Sequence, residues 1–217
     1  ATVADGEYAH NQTFTVTVNP INDAPVLATV SDVSFNEDGV GSTSLSALDV
    51  DGDQLTFSIT EGTDIVAVVD GSNVSFSAPL NFNGSESFTV SVTDGEYTDS
   101  QIITVTVNAV NDAPFADAAT GATAEDQSVV ISLSGSDIDG DNLTFSLGDD
   151  ATDGSVSIDG SLATYTPNTN YNGVDSFTFS VSDGSLSDAA SVTITIDAVN
   201  DAPVLATVPD VSFNEDG

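Results

Sequence analysis

The chain has 217 residues, of which 35 are aspartate or glutamate and none is lysine or arginine, giving a formal net charge of −35. Phosphate contacts rely on cationic side chains, so this composition argues against nucleic-acid binding and against anionic membrane surfaces. The lack of cysteine excludes disulfides, zinc-thiolate sites and thiol redox chemistry, and no apolar run has transmembrane length.

Residues 1–21 are interpreted as the C-terminal strands of a preceding repeat. The turn signal Asp5-Gly6-Glu7 is followed by the alternating segment Thr13-Phe14-Thr15-Val16-Thr17-Val18. Alternation of apolar and polar residues is the pattern of a half-buried strand. It recurs 89 residues later as Asp94-Gly95-Glu96 and Thr104-Val105-Thr106-Val107, so both segments are predicted to occupy the same position in a repeated module.

A polar joint, Asn-Asp-Ala-Pro, begins at residues 22, 111 and 200, a constant period of 89 residues. Proline removes a backbone donor and biases the preceding residue toward extended geometry, so one block ends and the next begins there. This spacing predicts two complete repeats, residues 22–110 and 111–199. Residues 200–217 are predicted to begin a following repeat, because 204–217 match 26–39 with one change.

Each repeat is predicted to be a seven-stranded Greek-key β-sandwich of the immunoglobulin type. In the first repeat, period-2 alternation predicts strands near 26–35, 43–48, 55–59, 65–69, 73–78, 87–93 and 101–108. Seven short strands with turn signals between them, in under about a hundred residues, are typical of that fold. The expected architecture is all-β, with tandem sandwiches joined end to end, and the strand phenylalanines Phe57, Phe76, Phe88, Phe145 and Phe177 are predicted core residues.

The acidic residues fall in loops that this topology places at module ends. Six to eight hard oxygen ligands are what Ca²⁺ requires, whereas Mg²⁺ keeps more of its waters. The joint at 111 is predicted to combine acids from the end of repeat 1 with acids from the start of repeat 2. The candidates there are Glu37, Asp38, Asn83, Glu86, Asn111, Asp112, Asp137, Asp139, Asp141 and Asp183.

The other two joints carry matching sets. Asp53 and Asp141 are expected either to contact the ion or to orient their loops. The candidates at the upstream joint are Asn22, Asp23, Asp49, Asp51, Asp53 and Asp94, and those at the downstream joint are Glu125, Asp126, Asp175, Asn200 and Asp201.

Several of these segments resemble cadherin motifs. Residues 48–59 (LDVDGDQLTFSI) are similar to the cadherin Asp-x-Asp loop and its following strand. Val92-Thr93-Asp94-Gly95 resembles the aspartate loop between the last two strands, and Val110-Asn111-Asp112-Ala113-Pro114 resembles the inter-domain linker. Glu37 resembles the glutamate at the base of the first strand. The family's Leu-Asp-Arg-Glu motif appears here as Leu80-Asn81-Phe82-Asn83, with amides in place of two carboxylates.

The whole chain is similar to the cadherin-like tandem repeats of large bacterial surface proteins and RTX-type adhesins. The resemblance implies an extracellular structural spacer, stiffened by calcium and in contact with neighbouring repeats or with other copies in a fibre. An adhesion module that binds glycan or protein through loops 79–86 or 168–175 is the alternative. A further alternative is a halophilic structural protein, although its acids should then be spread over strand faces.

An enzymatic role is not expected. A pair of carboxylates could serve a glycosidase, but the acid clusters here repeat at every module end. His10, the single histidine, lies in a polar turn with no second histidine or cysteine nearby, and no Ser-His-Asp arrangement or phosphate-binding glycine loop is present.

Overall fold

The structure is a computed structural model that describes residues 1–212 and residue 215. The described residues form strands and turns, and they contain no helix that could cross a lipid bilayer. The chain divides into two compact units, residues 1–110 (unit 1) and 111–217 (unit 2), with the division between Val110 and Asn111.

Unit 1 begins with a short hairpin and continues as a complete sandwich. Its strands are β1 (Thr2–Ala4), β2 (Ala9–Asn11), β3 (Val26–Leu27), β4 (Val33–Asn36), β5 (Val40–Ser44), β6 (Ala47–Leu48), β7 (Thr56–Ile59), β8 (Val66–Asp70), β9 (Asn73–Ser77), β10 (Gly84–Thr93) and β11 (Thr98–Asn108). One layer has the order β4-β11-β10-β7 and the facing layer has the order β5-β9-β8, while β3 pairs with β6. The pairing of β4 with β11 is parallel, and the other pairs are antiparallel.

Unit 2 repeats this plan. Its strands are β12 (Phe115–Asp117), β13 (Ala119–Ala124), β14 (Val129–Ser132), β15 (Ser134–Ser136), β16 (Thr144–Leu147), β17 (Gly154–Asp159), β18 (Leu162–Pro167), β19 (Gly173–Ser182) and β20 (Ser187–Asp197). The layers are β13-β20-β19-β16 and β14-β18-β17, with β12 paired to β15. The predicted all-β fold of tandem immunoglobulin-like sandwiches is therefore confirmed.

Alternating side chains on the long strands form a separate core in each unit. In β10, Phe88, Val90 and Val92 are buried, and the residues between them face outward. Phe76 of β9 packs edge-on against Phe88 with ring centroids 5.6 Å apart, a favourable geometry for aromatic pairs. Phe177 is buried in the same way in unit 2. Phe57 and Phe145 are half-buried and pack against the two cores, so all five phenylalanines predicted as core residues contact one of them.

The terminal segments differ in part from the predicted strands. The hairpin of β1 and β2 matches the tip of β10 and β11 in register, with Thr2 opposite Asn11 as Ser91 is opposite Ser100. Residues 12–25 form no strand, because no described segment supplies the partner that residues 84–90 provide for β11. Residues 200–212 also form no strand, and the rest of the predicted first strand, apart from residue 215, lies outside the described residues.

Candidate metal centre

The loop between β6 and β7 is organised around one oxygen of Asp49. Asp49 Oδ1 accepts hydrogen bonds from the backbone N–H groups of Asp51 (3.0 Å), Gly52 (2.9 Å) and Asp53 (3.2 Å). Gly52 has a φ of 81°, a left-handed conformation that glycine adopts without a steric penalty. This turn brings three aspartates to one end of the unit and leaves the second Asp49 oxygen free of these bonds.

Unit 2 builds the same turn between β15 and β16. Asp137 Oδ1 accepts from the backbone N–H groups of Asp139 at 2.9 Å and Asp141 at 3.3 Å. Gly140 has a φ of 80°, nearly the value found at Gly52. The spacing Asp-x-Asp-Gly-Asp thus produces the same local structure in both repeats.

The linker residues are hydrogen-bonded to the acids of the unit that they enter. In unit 2, the Asp112 N–H donates to Asp139 Oδ2 at 2.8 Å, and Asn111 Nδ2 donates to Asp183 Oδ2 at 2.8 Å. In unit 1, Asp23 donates in the same way to Asp51 at 2.8 Å and Asn22 to Asp94 at 3.0 Å. Each set of predicted ligands on the N-terminal side of a unit is therefore brought together by direct contacts.

The three loop aspartates of unit 1 lie close enough to share a cation. Asp49, Asp51 and Asp53 each present a carboxylate oxygen within 4.8 Å of the others, and no other three acidic or histidine side chains in the described residues are as close. No lysine or arginine is present to neutralise them. Like charges at this separation repel unless a cation intervenes.

Three buried side-chain oxygens have no hydrogen-bond partner within the part of the chain that the structure describes. They are Glu37 Oε2, Asp49 Oδ2 and Asp137 Oδ2, and all three belong to residues predicted from the sequence as calcium ligands. A buried polar atom without a partner is costly and rare in native proteins. Carboxylate oxygens are ligands that a hard cation such as calcium prefers, so the donor set fits this ion.

Glu37 and Glu125 occupy matching positions in units 1 and 2. Each lies at the end of its own unit where the chain leaves for the next linker. Glu37 Oε1 accepts a hydrogen bond from the Val110 N–H, and Glu125 Oε1 accepts one from the Val199 N–H. The second oxygens differ, because Glu125 Oε2 accepts from Asn172 Nδ2 at 3.4 Å, whereas Glu37 Oε2 has no partner in the part of the chain that the structure covers. Each glutamate thus holds the backbone immediately before the next linker.

Asp38 and Asp126, which follow these glutamates, connect two loops at the same end of their units. Both have left-handed backbones, with φ values of 59° and 61°. Asp38 Oδ1 accepts from the Asn81 N–H and Asp126 Oδ1 from the Asn170 N–H, each at 2.9 Å. These bonds tie the turn after the first strand to the loop before β10 or β19.

Glu86 and Asp175 were predicted as ligands, but the structure gives them backbone partners inside their own units. Glu86 accepts from the N–H groups of Thr63 at 2.9 Å and Asp64 at 2.7 Å. Asp175 accepts from Thr152 at 3.2 Å, from Asp153 at 2.9 Å and from its neighbour Ser176. Both carboxylates stabilise the loop before β8 or β17, and their role as calcium ligands stays a prediction.

Tyr165, a buried tyrosine, is hydrogen-bonded to Asp175, and it was not singled out from the sequence. Tyr165 OH donates to Asp175 Oδ2 at 2.9 Å. Burial is the main reason why the pKa of the Tyr165 hydroxyl lies well above its usual range, and this hydrogen bond is the second reason. At the matching positions, unit 1 has Phe76 and the longer acid Glu86. The two repeats therefore differ at both positions. Aligning the two repeats would have revealed this paired difference from the sequence alone.

Replacing Tyr165 with phenylalanine is expected to destabilise unit 2 by about 2 kcal/mol, because a buried hydrogen bond to a charged group is lost. Urea unfolding followed by circular dichroism would measure this. Tyr171→Phe is the matched control, since the Tyr171 hydroxyl donates to the Val174 carbonyl at an exposed position and should contribute less. Equal stability of Tyr165→Phe and wild type would contradict the assigned role.

The aspartates that receive the linker asparagines are held in their ionised form. A hydrogen bond from Asn111, with the Leu186 and Ser185 N–H groups, holds the pKa of Asp183 below its ordinary value of 3.8. The Tyr97 and Glu96 N–H groups, and then Asn22, lower the pKa of Asp94 in the same way. Hydrogen bonds to the charged form explain this direction.

These lowered pKa values predict a specific acid sensitivity. A carboxyl with a depressed pKa in the folded state stabilises the fold above its ordinary pKa of 3.8, and this contribution is lost as the pH falls through the lowered value. Asn111→Ala should therefore shift the acid-unfolding midpoint of unit 2 toward neutral pH in metal-free buffer. Asn200→Ala is the control, because Asn200 Nδ2 donates to the adjacent Asp201 carbonyl. Identical acid titrations of the two variants by circular dichroism would contradict the assignment.

Asn200 and Asp201 repeat the local form of the linker. Asn200 Nδ2 lies 3.3 Å from the Asp201 carbonyl oxygen, as Asn111 Nδ2 lies 3.0 Å from that of Asp112. Their prediction as ligands of a downstream joint stays a prediction.

Comparisons with known proteins agree with this architecture. The family model described as "Bacterial Ig domain" matches residues 22–106 and again residues 111–195. Two crystal forms of human protocadherin-24 EC1-2 are similar to the chain, with TM-scores of 0.57 and 0.53 and identities of 18% and 16%. The matches cover 82% and 84% of this chain and 100% of each protocadherin chain, and at these identities they show the fold alone.

An endo-fucoidan hydrolase from glycoside hydrolase family 107 also matches, at 22% identity over 92% of this chain. The chain covers only 33% of that protein's length, and the TM-score of 0.35 carries no argument about activity. No match was found among curated protein sequences. Two successive family matches span most of the chain, which therefore belongs to the bacterial Ig domain family and contains two tandem copies of that domain.

Proposed function

We propose that this chain is a non-enzymatic spacer segment of an extracellular bacterial adhesin or surface fibre, and that calcium bound at the module ends makes it rigid. The observation that carries the proposal is the set of buried oxygens on Glu37, Asp49 and Asp137 that have no hydrogen-bond partner in residues 1–212 and 215. Extracellular modules bind calcium with dissociation constants of about 0.1–1 mM, which suits a weak acidic site outside the cell.

The protein's own residues explain how a bound cation would be coupled to the linker. Glu37 holds the Val110 N–H, and the following residue, Asn111, donates to Asp183. The linker is thus hydrogen-bonded to predicted ligands through the Val110 backbone N–H before the Val110–Asn111 peptide bond and through the Asn111 side chain after it. When bound, calcium would supply positive charge that cancels the repulsion among these carboxylates.

The proposed ligands are the linker residues, the acids that hydrogen-bond to the linker, and the acids in the same turns as those acids. For the joint at residue 111 they are Glu37, Asp38, Asn111, Asp112, Asp137, Asp139, Asp141 and Asp183. For the joint at residue 22, the ligands within this chain are Asn22, Asp23, Asp49, Asp51, Asp53 and Asp94. Glu125, Asp126, Asn200 and Asp201 are proposed to serve a third joint.

Calorimetric titration with calcium at about 1 M sodium chloride would test the site, because the screening length there is only about 3 Å. Specific sites should still bind calcium with a defined stoichiometry. General salt adaptation predicts that the binding heat disappears as sodium replaces calcium, and that result would overturn the proposal.

Small-angle X-ray scattering would test the spacer role separately. The maximum dimension of the fragment should be greater, and its distribution narrower, in calcium than in chelator. Since rigidity is the proposed consequence of binding, identical profiles in a sample that calorimetry shows to be loaded would contradict the spacer mechanism while leaving the metal site intact.

A further inference from the structure

An Asn-Gly pair occurs at the same place in both units, at the start of β10 and of β19. The pairs are Asn83-Gly84 and Asn172-Gly173. Gly84 has a φ of 154° and Gly173 a φ of 142°. A Cβ atom on Gly84 would lie 3.1 Å from the Phe82 ring, and one on Gly173 would lie 3.3 Å from the Tyr171 hydroxyl. The positive φ favours glycine after the asparagine, and a Cβ atom there would lie in tight contact with the preceding aromatic side chain.

This preference has a chemical consequence, because glycine has no side chain to shield its backbone nitrogen from the preceding asparagine. We propose that Asn83 is a deamidation site, and that the reaction adds a carboxylate beside Glu37. The Gly84 nitrogen loses its proton and bonds to Asn83 Cγ, the Cγ–Nδ2 bond breaks, and the amide nitrogen leaves as ammonia. Water then opens the succinimide ring to give aspartate or isoaspartate, with no change of oxidation state.

The structure favours Asn83 over its counterpart in unit 2. Asn172 Nδ2 donates to Glu125 Oε2 at 3.4 Å, which restrains the amide. In unit 1 the equivalent oxygen, Glu37 Oε2, has no hydrogen-bond partner among the described residues, so no such restraint acts there. Asn83 is also exposed to the water that the second step consumes.

The same contacts place the product near Glu37. The Asp38 carboxylate accepts from the Asn81 N–H at 2.9 Å, which joins the turn containing Glu37 to the loop containing Asn83. The contact between Asn172 and Glu125 shows that side chains at these two positions reach each other in this fold.

The effect on calcium rests on the proposed function. Calcium affinity increases with the number of charged ligands in a site. A carboxylate at position 83 would strengthen calcium binding by Glu37 and its neighbours, and would repel Glu37 when no cation is present. Deamidation is thus a slow, irreversible modification of this joint. It should stabilise the folded protein in calcium and destabilise it in chelator.

Peptide mapping by mass spectrometry tests the modification without any reference to calcium. The intact fragment is incubated in metal-free buffer at mildly alkaline pH, and the loss of ammonia is followed at each asparagine. Asn83 should react many times faster than Asn142, which is exposed and outside any strand but precedes Leu143, and faster than Asn172. A rate at Asn83 no greater than that at Asn142 would overturn the proposal, and Asn83→Gln should suppress the signal.

Calcium titration of Asn83→Asp, with Asn83→Ser as the neutral control, tests the consequence. The aspartate variant should bind roughly tenfold more tightly at one site than wild type does. It should also melt at a lower temperature than Asn83→Ser in chelator. If wild type binds calcium and Asn83→Asp binds it with the same affinity, the proposal that a carboxylate at position 83 acts as an added ligand is refuted. If neither protein binds calcium, the proposed function fails together with the affinity effect, and the peptide map alone decides the modification site.

Discussion

Saturating calcium is expected to raise the thermal unfolding midpoint of this fragment by about 10–20 °C over its value in chelator. A ligand that binds only the folded state at about a hundredfold excess over its Kd adds about 2.7 kcal/mol. For a domain of this size, about 1 kcal/mol moves the midpoint by about 4–8 °C. The gain has a local cause here, because Asp49, Asp51 and Asp53 face one another without any basic residue in the chain.

Differential scanning calorimetry in calcium, magnesium and chelator would measure this effect. Magnesium at the same concentration is the control, because it retains its waters and should stabilise the fragment less. Superimposed traces in calcium and chelator would contradict metal binding at the module ends.

The paired substitution of Asp49 and Asp137 by asparagine should have opposite effects in the two conditions. Asparagine keeps the Oδ1 acceptor to which both loops are hydrogen-bonded, but it removes the negative charge and replaces Oδ2, which has no partner among the residues described. Calcium affinity should fall by roughly 10- to 100-fold or more at each site. In chelator the variant should be more stable than wild type, because one charge has been removed from the mutually repelling Asp49, Asp51 and Asp53 and another from the matching loop of unit 2.

A matched variant carries Asp70→Ser and Asp159→Ser, because serine removes the charge without creating a new Asn-Gly pair. These two residues precede Gly71 and Gly160 in exposed strand turns, so the variant has the same change in net charge away from the loops. Its calcium affinity should equal that of wild type. If it loses as much affinity as the Asp49 and Asp137 pair does, the acids act as a diffuse charge rather than as defined ligands.

Much of the fold could be predicted from the sequence because its signals are local. Alternation along Phe88-Thr89-Val90-Ser91-Val92 specifies which face of β10 is buried, and the structure confirms that face. The Asp-x-Asp-Gly-Asp turn is also local, since Asp49 Oδ1 binds backbone groups at most four residues away. The proximity of the loop aspartates therefore followed from their spacing.

The first strand of unit 1 is interrupted by a contact that spacing does not reveal. It was predicted as continuous over 26–35, but the structure divides it into β3 and β4. The Gln101 side chain accepts from the Val30 N–H at 3.1 Å and donates to the Val30 carbonyl at 2.7 Å. This side chain, 71 residues away, takes the place of a strand partner.

Glu86 and Asp175 illustrate the same limit for ligand assignment. Their position near the base of a module suggested a metal ligand, yet their donors come from loops that lie 22 or 23 residues earlier. An acid that satisfies backbone N–H groups and one that faces a cation look alike in sequence. Asp49 and Asp137 each have one buried oxygen with no partner among the described residues, which Glu86 and Asp175 do not. Asp94 and Asp183 also accept backbone N–H groups, but they differ from Glu86 and Asp175 in binding the linker asparagines.

A crystal structure grown in calcium tests the central claim most directly. Anomalous density is expected about 2.3–2.6 Å from Asp49 Oδ2 and from Asp137 Oδ2. A well-resolved map in which both oxygens face ordered water, with no cation near either, would contradict it.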